Sequence, residues 1–160
     1  MAVRVETADF DIAAELAALT RGRTDIGAVV TFTGLVRGEA AGRPLTSMTL
    51  EHYPGMTEAE LARVEAEANA RWPLQASLII HRVGELKPGD NIVLVATASP
   101  HRQAAFEAAE FLMDYLKTRA PFWKKEAFAD GAADWVDARE TDETALRRWQ
   151  PAAADQKAKP

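Results

Sequence analysis

Between Pro100 and Ala120 apolar residues recur at helical spacing. Phe106, Ala109, Met113 and Leu116 form a stripe that Ala105 and Leu112 widen, which predicts a long amphipathic helix packed inward on that face. Ser99 followed by Pro100 reads as its opening, since the Ser oxygen can accept from first-turn amides and Pro gives up a donor that has no partner there. Pro121 ends it by biasing the preceding residue out of the helical region. Upstream, Phe10, Ile12, Leu16 and Leu19 predict a short helix over 9–19, capped by Asp9 or Asp11. Residues 26–34 have the β-branched and aromatic content of a strand, with Ile26, Ala28, Val30 and Phe32 on one face, and are expected to be central in a sheet. The stretch 38–44 reads as a loop, and 46–53 alternates as a second strand. Thr57 with Glu60 forms a capping box for a helix running to about Trp72, with Leu61, Val64, Ala68 and Trp72 inward and Pro73 as its stop. Residues 77–83 and 91–98 are apolar strands joined by a turn at Pro88-Gly89. Beyond Glu126 the pattern weakens to a short strand over 134–139, a short helix over 141–149 and a tail, 151–160, expected to be disordered. This order fits one α+β domain over 1–150, a mainly antiparallel sheet with packed helices plus a small C-terminal strand and helix extension.

Composition narrows the chemistry. With 48% hydrophobic and 27% charged residues in 160, the chain has an ordinary soluble globular composition. A net charge of −5 argues against a nucleic-acid binder that works by counterion release. No apolar run approaches the roughly 20 residues a membrane span requires, and the first residues lack a signal-peptide core, so a cytoplasmic location is expected. There is no cysteine, which excludes thiolate metal sites and any mechanism in which this chain carries sulfur or an acyl group on its own thiol. No metal-ligand spacing joins the three histidines, His52, His81 and His101, and the first two are read as structural strand residues.

Against this acidic background, basic residues gather on and beside the long helix. His101 and Arg102 sit in its first turn, where free amides and the helix dipole already favour an anion, so two basic side chains there point to an anionic ligand. Lys117 lies at the other end, and Lys124 and Lys125 follow just past Pro121-Phe122-Trp123. Arg102 and Lys117 are 15 positions apart. At helical rise that is about 22 Å, too far for one small ligand to touch both. Either there are two sites, or the His101/Arg102 end of one copy meets the lysine end of a second copy across a two-fold interface; the dimer is the favoured arrangement.

Several segments, in order, resemble the large, catalytic subunit of molybdopterin synthase: GAVVTFTGLVRG (27–38), LEHYPGMTEAEL (50–61), HRVGELKPGD (81–90), SPHRQAAFEA (99–108), DYLKTRAPFWKKE (114–126) and DWVDAR (134–139). The loop 38–43 departs from that family, in which a more polar, Asn-containing stretch follows the Val-Arg pair. The resemblance implies an α/β-hammerhead-like fold and a central homodimer within a heterotetramer. Each copy receives the C-terminal thiocarboxylate of a small ubiquitin-like subunit. Two sulfurs pass to cyclic pyranopterin monophosphate to form the dithiolene of molybdopterin, with no resident cofactor or metal. By the same resemblance Lys117 and Lys124 match the catalytic lysines, and Arg37, His101 and Arg102 match residues that hold the substrate anion. Leu35, Val36, Lys125 and Glu126 match neighbouring substrate-binding positions, and Arg139 looks like a further basic residue of the pocket.

The expected division of labour follows from charge. Crowding by like charges disfavours a lysine ammonium, which suits Lys117 to proton transfer, while Lys124 stabilises negative charge developing on the thiocarboxylate or the opening phosphate. Nucleophilic capture of the partner's acyl group is the other role open to Lys117. Plainer readings stand beside these. Lys117 can complement the helix dipole, Lys124-Lys125 can be a solvated pair, His101 a cap, and Arg37 and Arg139 surface residues, while Trp72, Trp123, Phe106 and Phe122 suit a core or an interface. At the level of function, the alternatives are a non-catalytic binding module for a phosphorylated pterin and a docking scaffold for a ubiquitin-like partner.

Overall fold

Two apolar runs, 76–81 and 93–98, are buried along their whole length, and the remaining elements are arranged to cover them. The computed structural model describes residues 2–136 and 140–150. It runs β1 (Ala2–Glu6), α1 (Ile12–Thr20), β2 (Ala28–Leu35), β3 (Glu39–Ala40), β4 (Arg43–His52), α2 (Met56–Arg71) and β5 (Ala76–Arg82). There follow β6 (Gly84–Leu86), β7 (Asn91–Ser99), α3 (Arg102–Thr118), β8 (Phe122–Phe128), β9 (Ala133–Val136) and α4 (Glu140–Arg147). One sheet has the order β1-β5-β7-β2, the other β3-β4-β8-β9 with β6 also on β4. Every pairing among the described residues is antiparallel except β1 with β5, so the α+β, mainly antiparallel expectation is met.

The burial of β5 and β7 on both faces explains why they are apolar runs and not alternating strands. Ile79, Val93 and Val95 pack against Leu61 and Val64 of α2 and Phe111 and Leu112 of α3. On the opposite face Leu78, Ile80, Leu94 and Ala96 meet Phe10 and the apolar side of α1. Ile79 and Ile80 are wholly buried; each contributes about 2 kcal/mol by leaving water.

Several expectations change. The strand over 28–35 is not central but the edge of its sheet, because β7 takes its inner side and no described strand pairs with its outer side. β1, five residues that pair parallel with β5, has no counterpart in the periodicity. The loop over 38–44 contains a small hairpin turning through Ala41 and Gly42, both at positive φ. α3 starts at Arg102, with His101 in extended conformation at its N-cap. Ser99 is not at the cap position, because it still belongs to β7 and α3 starts three residues later; its hydroxyl donates to the Pro73 carbonyl at 3.1 Å and accepts from the His101 amide at 3.4 Å. Phe106 is 60% exposed beside β2 and does not pack inward. At the start of α2 the cap position is Gly55, which has no side chain to accept, so only the reciprocal half of a capping box forms: Glu58 Oε2 accepts from the Gly55 amide at 2.6 Å. Thr57, fully buried, acts elsewhere, with its Oγ1 accepting from the Tyr53 amide at 2.9 Å and donating to the Pro121 carbonyl at 3.1 Å. That ties the start of α2 to the segment leading into β8, a strand the periodicity does not reveal. Residues 137–139, including Arg139, and the 151–160 tail lie outside the described residues.

Under β1 and β5, Glu65 of α2 is buried with Oε2 unpartnered, beside Asn69, whose Oδ1 is likewise unpartnered among the described residues. Burial raises its pKa above the usual 4.5, opposed by a hydrogen bond from Ser77. The folded state therefore holds this proton more tightly than the unfolded one, and its contribution to stability falls as pH rises from about 4.5 through the raised folded value. Glu65→Gln is expected to raise the urea midpoint at pH 8 and to narrow the gap to wild type near pH 4. Parallel midpoints at both pH values would refute it.

Candidate active site

The direction of α3 decides which basic residues can meet. The chain reverses directly after β7, and Thr97 Oγ1 donates to the Ala105 carbonyl at 2.6 Å, which seats the first turns of the helix on that strand. At the start of β2, the Gly27 amide donates to the Ser99 carbonyl at 3.0 Å, and a Cβ on Gly27 would lie 2.1 Å from the Pro100 carbonyl oxygen. Only glycine permits that approach. Ala28 is opposite Ser99 and Leu35 opposite Asn91, so His101 and Arg102 stand at one end of the sheet. Lys117, Leu35 and Arg37 stand at the other.

At that second end a cavity of about 480 Å³ opens between the two sheets and the C-terminal turn of α3. Lys117 enters from α3, Arg37 and Leu35 from the end of β2, and Lys124 and Glu126 from β8. The strand period puts Lys124 and Glu126 on one face of β8 and Trp123 and Lys125 on the other. Lys125 accordingly lies outside the cavity, with Nζ 5.7 Å from the Trp135 ring centre. Val36 is also outside it: the side chain is buried against Leu50 and Leu86, while its amide donates to Asp90 and its carbonyl accepts from Gly89. Met113, Leu116, Ile92 and Phe122 give the cavity an apolar wall.

Three cations, Arg37, Lys117 and Lys124, thus converge on one space with the Glu126 carboxylate. Glu126 is buried, and its Oε2 has no hydrogen-bond partner among the described residues, so it is an acceptor available to a ligand. The arrangement can bind an anion, move a proton and recognise N–H donors in one place. Among the described residues no group of three His, Asp or Glu side chains could hold a metal ion.

The wall also contains His81, which the sequence pattern alone marks as a structural strand residue. Its position two residues after Ile79 places it on the α3 side of β5, a placement legible from strand alternation. Burial, and next the positive charges of Lys124 and Lys117, push its pKa down to about 4. On the outer face of β8, Trp123, Trp135 and Tyr53 form an exposed aromatic patch, with the Tyr53 and Trp123 rings 6.0 Å apart.

A sequence model of the MoaE protein family matches residues 5–119. The chain belongs to the MoaE protein family. The molybdopterin synthase catalytic subunit of Mesorhizobium japonicum is 62% identical over 149 residues, 92% of each chain. Among solved structures, the molybdopterin biosynthesis MoaE protein of Burkholderia ambifaria has a TM-score of 0.79 and 54% identity, over 93% of this chain and 98% of its own. Molybdopterin synthase from Staphylococcus aureus has a TM-score of 0.77 and 34% identity, over 84% of this chain and 96% of that one. The MoaE match includes Leu35, Arg37, His101, Arg102 and Lys117 and stops short of β8.

Proposed function

We propose that this chain is the catalytic subunit of a molybdopterin synthase, a sulfurtransferase that receives sulfur from the C-terminal thiocarboxylate of a small ubiquitin-like partner. Its substrate is cyclic pyranopterin monophosphate, converted to the dithiolene of molybdopterin. The observation that carries this reading is the convergence of Lys117, Lys124, Arg37 and an unpartnered Glu126 carboxylate oxygen on one cavity in a cysteine-free MoaE-family chain. With no thiol of its own, the chain must take sulfur from outside. A thiocarboxylate sulfur forms a bond to a pterin side-chain carbon as the carbon–oxygen bond there breaks, the oxygen leaving with the opening phosphate at one carbon and as water at the other. Water then cleaves the acyl–sulfur bond, leaving sulfur on the pterin and a carboxylate on the partner. Lys117 handles the proton at the reacting carbon, and Lys124 offsets charge on the thiocarboxylate or the opening phosphate. Arg37 holds the phosphate.

His101 and Arg102 complete the phosphate site from a second copy. β2 is an edge strand, and Val29, Phe32 and Phe106 expose apolar surface beside it. Two copies paired antiparallel through β2 bring the Ala28 end of one against the Leu35 end of the other. His101 and Arg102 then reach the cavity that Arg37 and Lys117 line. Leu35 supports the binding surface, Arg139 is a further basic contact for the substrate, and the partners make a heterotetramer around the homodimer. No helix among the described residues is long and apolar enough to cross a membrane, and the proposed location is the cytoplasm.

A single-turnover assay tests the reading: purified chain, thiocarboxylated small subunit and cyclic pyranopterin monophosphate, with dithiolene product followed. Product is expected. Bound partner without product would leave a docking scaffold, and bound pterin without product a binding module.

A further inference from the structure

Among the described residues, His81 is the buried polar side chain of the cavity wall to which the mechanism gives no role. Two contacts fix the ring. Nδ1 lies 2.8 Å from the Arg82 carbonyl oxygen. A carbonyl only accepts, so Nδ1 carries the proton and Nε2 keeps its lone pair. One face of the imidazole is stacked on Phe122, with centroids 3.8 Å apart and planes inclined by 17°. On the β5 backbone, Val93 and Val5 flank it in the two neighbouring strands. The next side chain after Phe122 on the same face of β8 is Lys124, about 7 Å along the strand and within reach of a lysine stem.

We propose that His81 is a positioning residue, whose Nε2 lone pair accepts a hydrogen bond from the Lys124 ammonium and holds that charge at the wall of the cavity. This rests on the sulfurtransferase reading above and assigns the wall residue that keeps its electrostatic lysine in register. A neutral acceptor serves here better than a carboxylate. It orients the ammonium without cancelling the charge that the thiocarboxylate or phosphate must feel. Its neutrality is secured by burial: with a pKa of about 4 the ring does not compete for protons near neutrality. The charged or titratable groups around it are Lys117 from α3, Lys124 and Glu126 from β8, His52 from β4, and Arg37 and Asp142 on the cavity wall. The cations among them disfavour an imidazolium, so the acceptor state persists with Lys124 charged.

The test compares wild type with three variants in the assembled enzyme. His81→Phe keeps a ring on Phe122 and removes both nitrogens. His81→Asn keeps a group for the Arg82 carbonyl but is too short to reach Lys124. His81→Gln extends an amide oxygen toward the Nε2 position. Each is read by kcat and KM, and by the pH at which Lys124 becomes half-reactive toward an amine-selective acylating reagent, followed by mass spectrometry. The Phe and Asn variants are expected to lose about 10²-fold in kcat with KM little changed, as misplacement of a catalytic group does. In both, the Lys124 midpoint moves to lower pH because the ammonium has lost an acceptor, and Gln restores part of each effect. Unchanged kcat and an unmoved Lys124 midpoint in the Phe and Asn variants would overturn the assignment. A loss of activity that only tracks folded protein, with the midpoint unmoved, overturns it too, since a stacking role alone predicts that. Absence of product in wild type would overturn the sulfurtransferase reading, while the Lys124 titration still decides the contact.

Discussion

Lys117→Ala is expected to slow single-turnover sulfur transfer by about 10³-fold, the range associated with loss of a positioned acid or base. The chain should still fold and dimerise. Lys117 occupies the last turn of α3 with its side chain exposed to the cavity, and the apolar face of that helix is made by other residues. Truncation forfeits a favourable dipole interaction of up to about 1 kcal/mol. Alanine returns a few tenths through helix propensity. The stability readout therefore stays near wild type while the rate does not, which separates a chemical role from a purely helix-capping one. A near-normal rate would remove Lys117 from the mechanism. Mass spectrometry of a wild-type reaction quenched mid-turnover settles the remaining choice, because nucleophilic capture leaves the partner's tail covalently on Lys117 and proton transfer leaves nothing.

Mixing two inactive proteins should restore activity. Within one chain His101 and Arg102 lie at the opposite end of α3 from Lys117, about 22 Å away. If the site is shared, Lys117→Ala and Arg102→Ala damage different halves of it. In a heterodimer of the two variants, one cavity carries both defects and the other carries neither. After denaturation and random re-pairing, half of the dimers are mixed and each has one intact site, so recovery of about one quarter of wild-type activity is expected. A site contained in one chain predicts no recovery at all. Lys117→Ala mixed with Arg37→Ala supplies the control. Because Arg37 and Lys117 line the same cavity of one chain, each cavity of a mixed dimer keeps one defect and activity should stay low.

The parts of this architecture that are legible in the sequence are those in which local pattern and tertiary burial agree. The apolar runs of β5 and β7 stay apolar because helices cover both faces, and the stripe on α3 names its buried side apart from Phe106. β8 is hidden because two adjacent lysines interrupt an otherwise alternating segment, although that alternation sends one lysine into the cavity and its neighbour out. β1 is five residues long and draws its order from parallel pairing with a strand over seventy positions away. The lysines and Arg37 can be named from the chain. Which end of α3 Arg37 joins depends on the antiparallel register of β2 and β7, a tertiary fact. His81 escapes because an isolated histidine in an apolar strand looks like core until the strand's face is known to border a cavity.

The open margin of β2 has a consequence for the life of the chain before assembly. A strand edge flanked by Val29, Phe32 and Phe106 is a template on which any passing extended segment can pair, its own kind or another's. If two copies pair through β2 as proposed, a newly made copy is at its most aggregation-prone at the moment it is least competent, and pairing relieves both conditions at once. Changes that part the twins should cost solubility and turnover together, which makes self-association a condition of the subunit's upkeep as well as of its output.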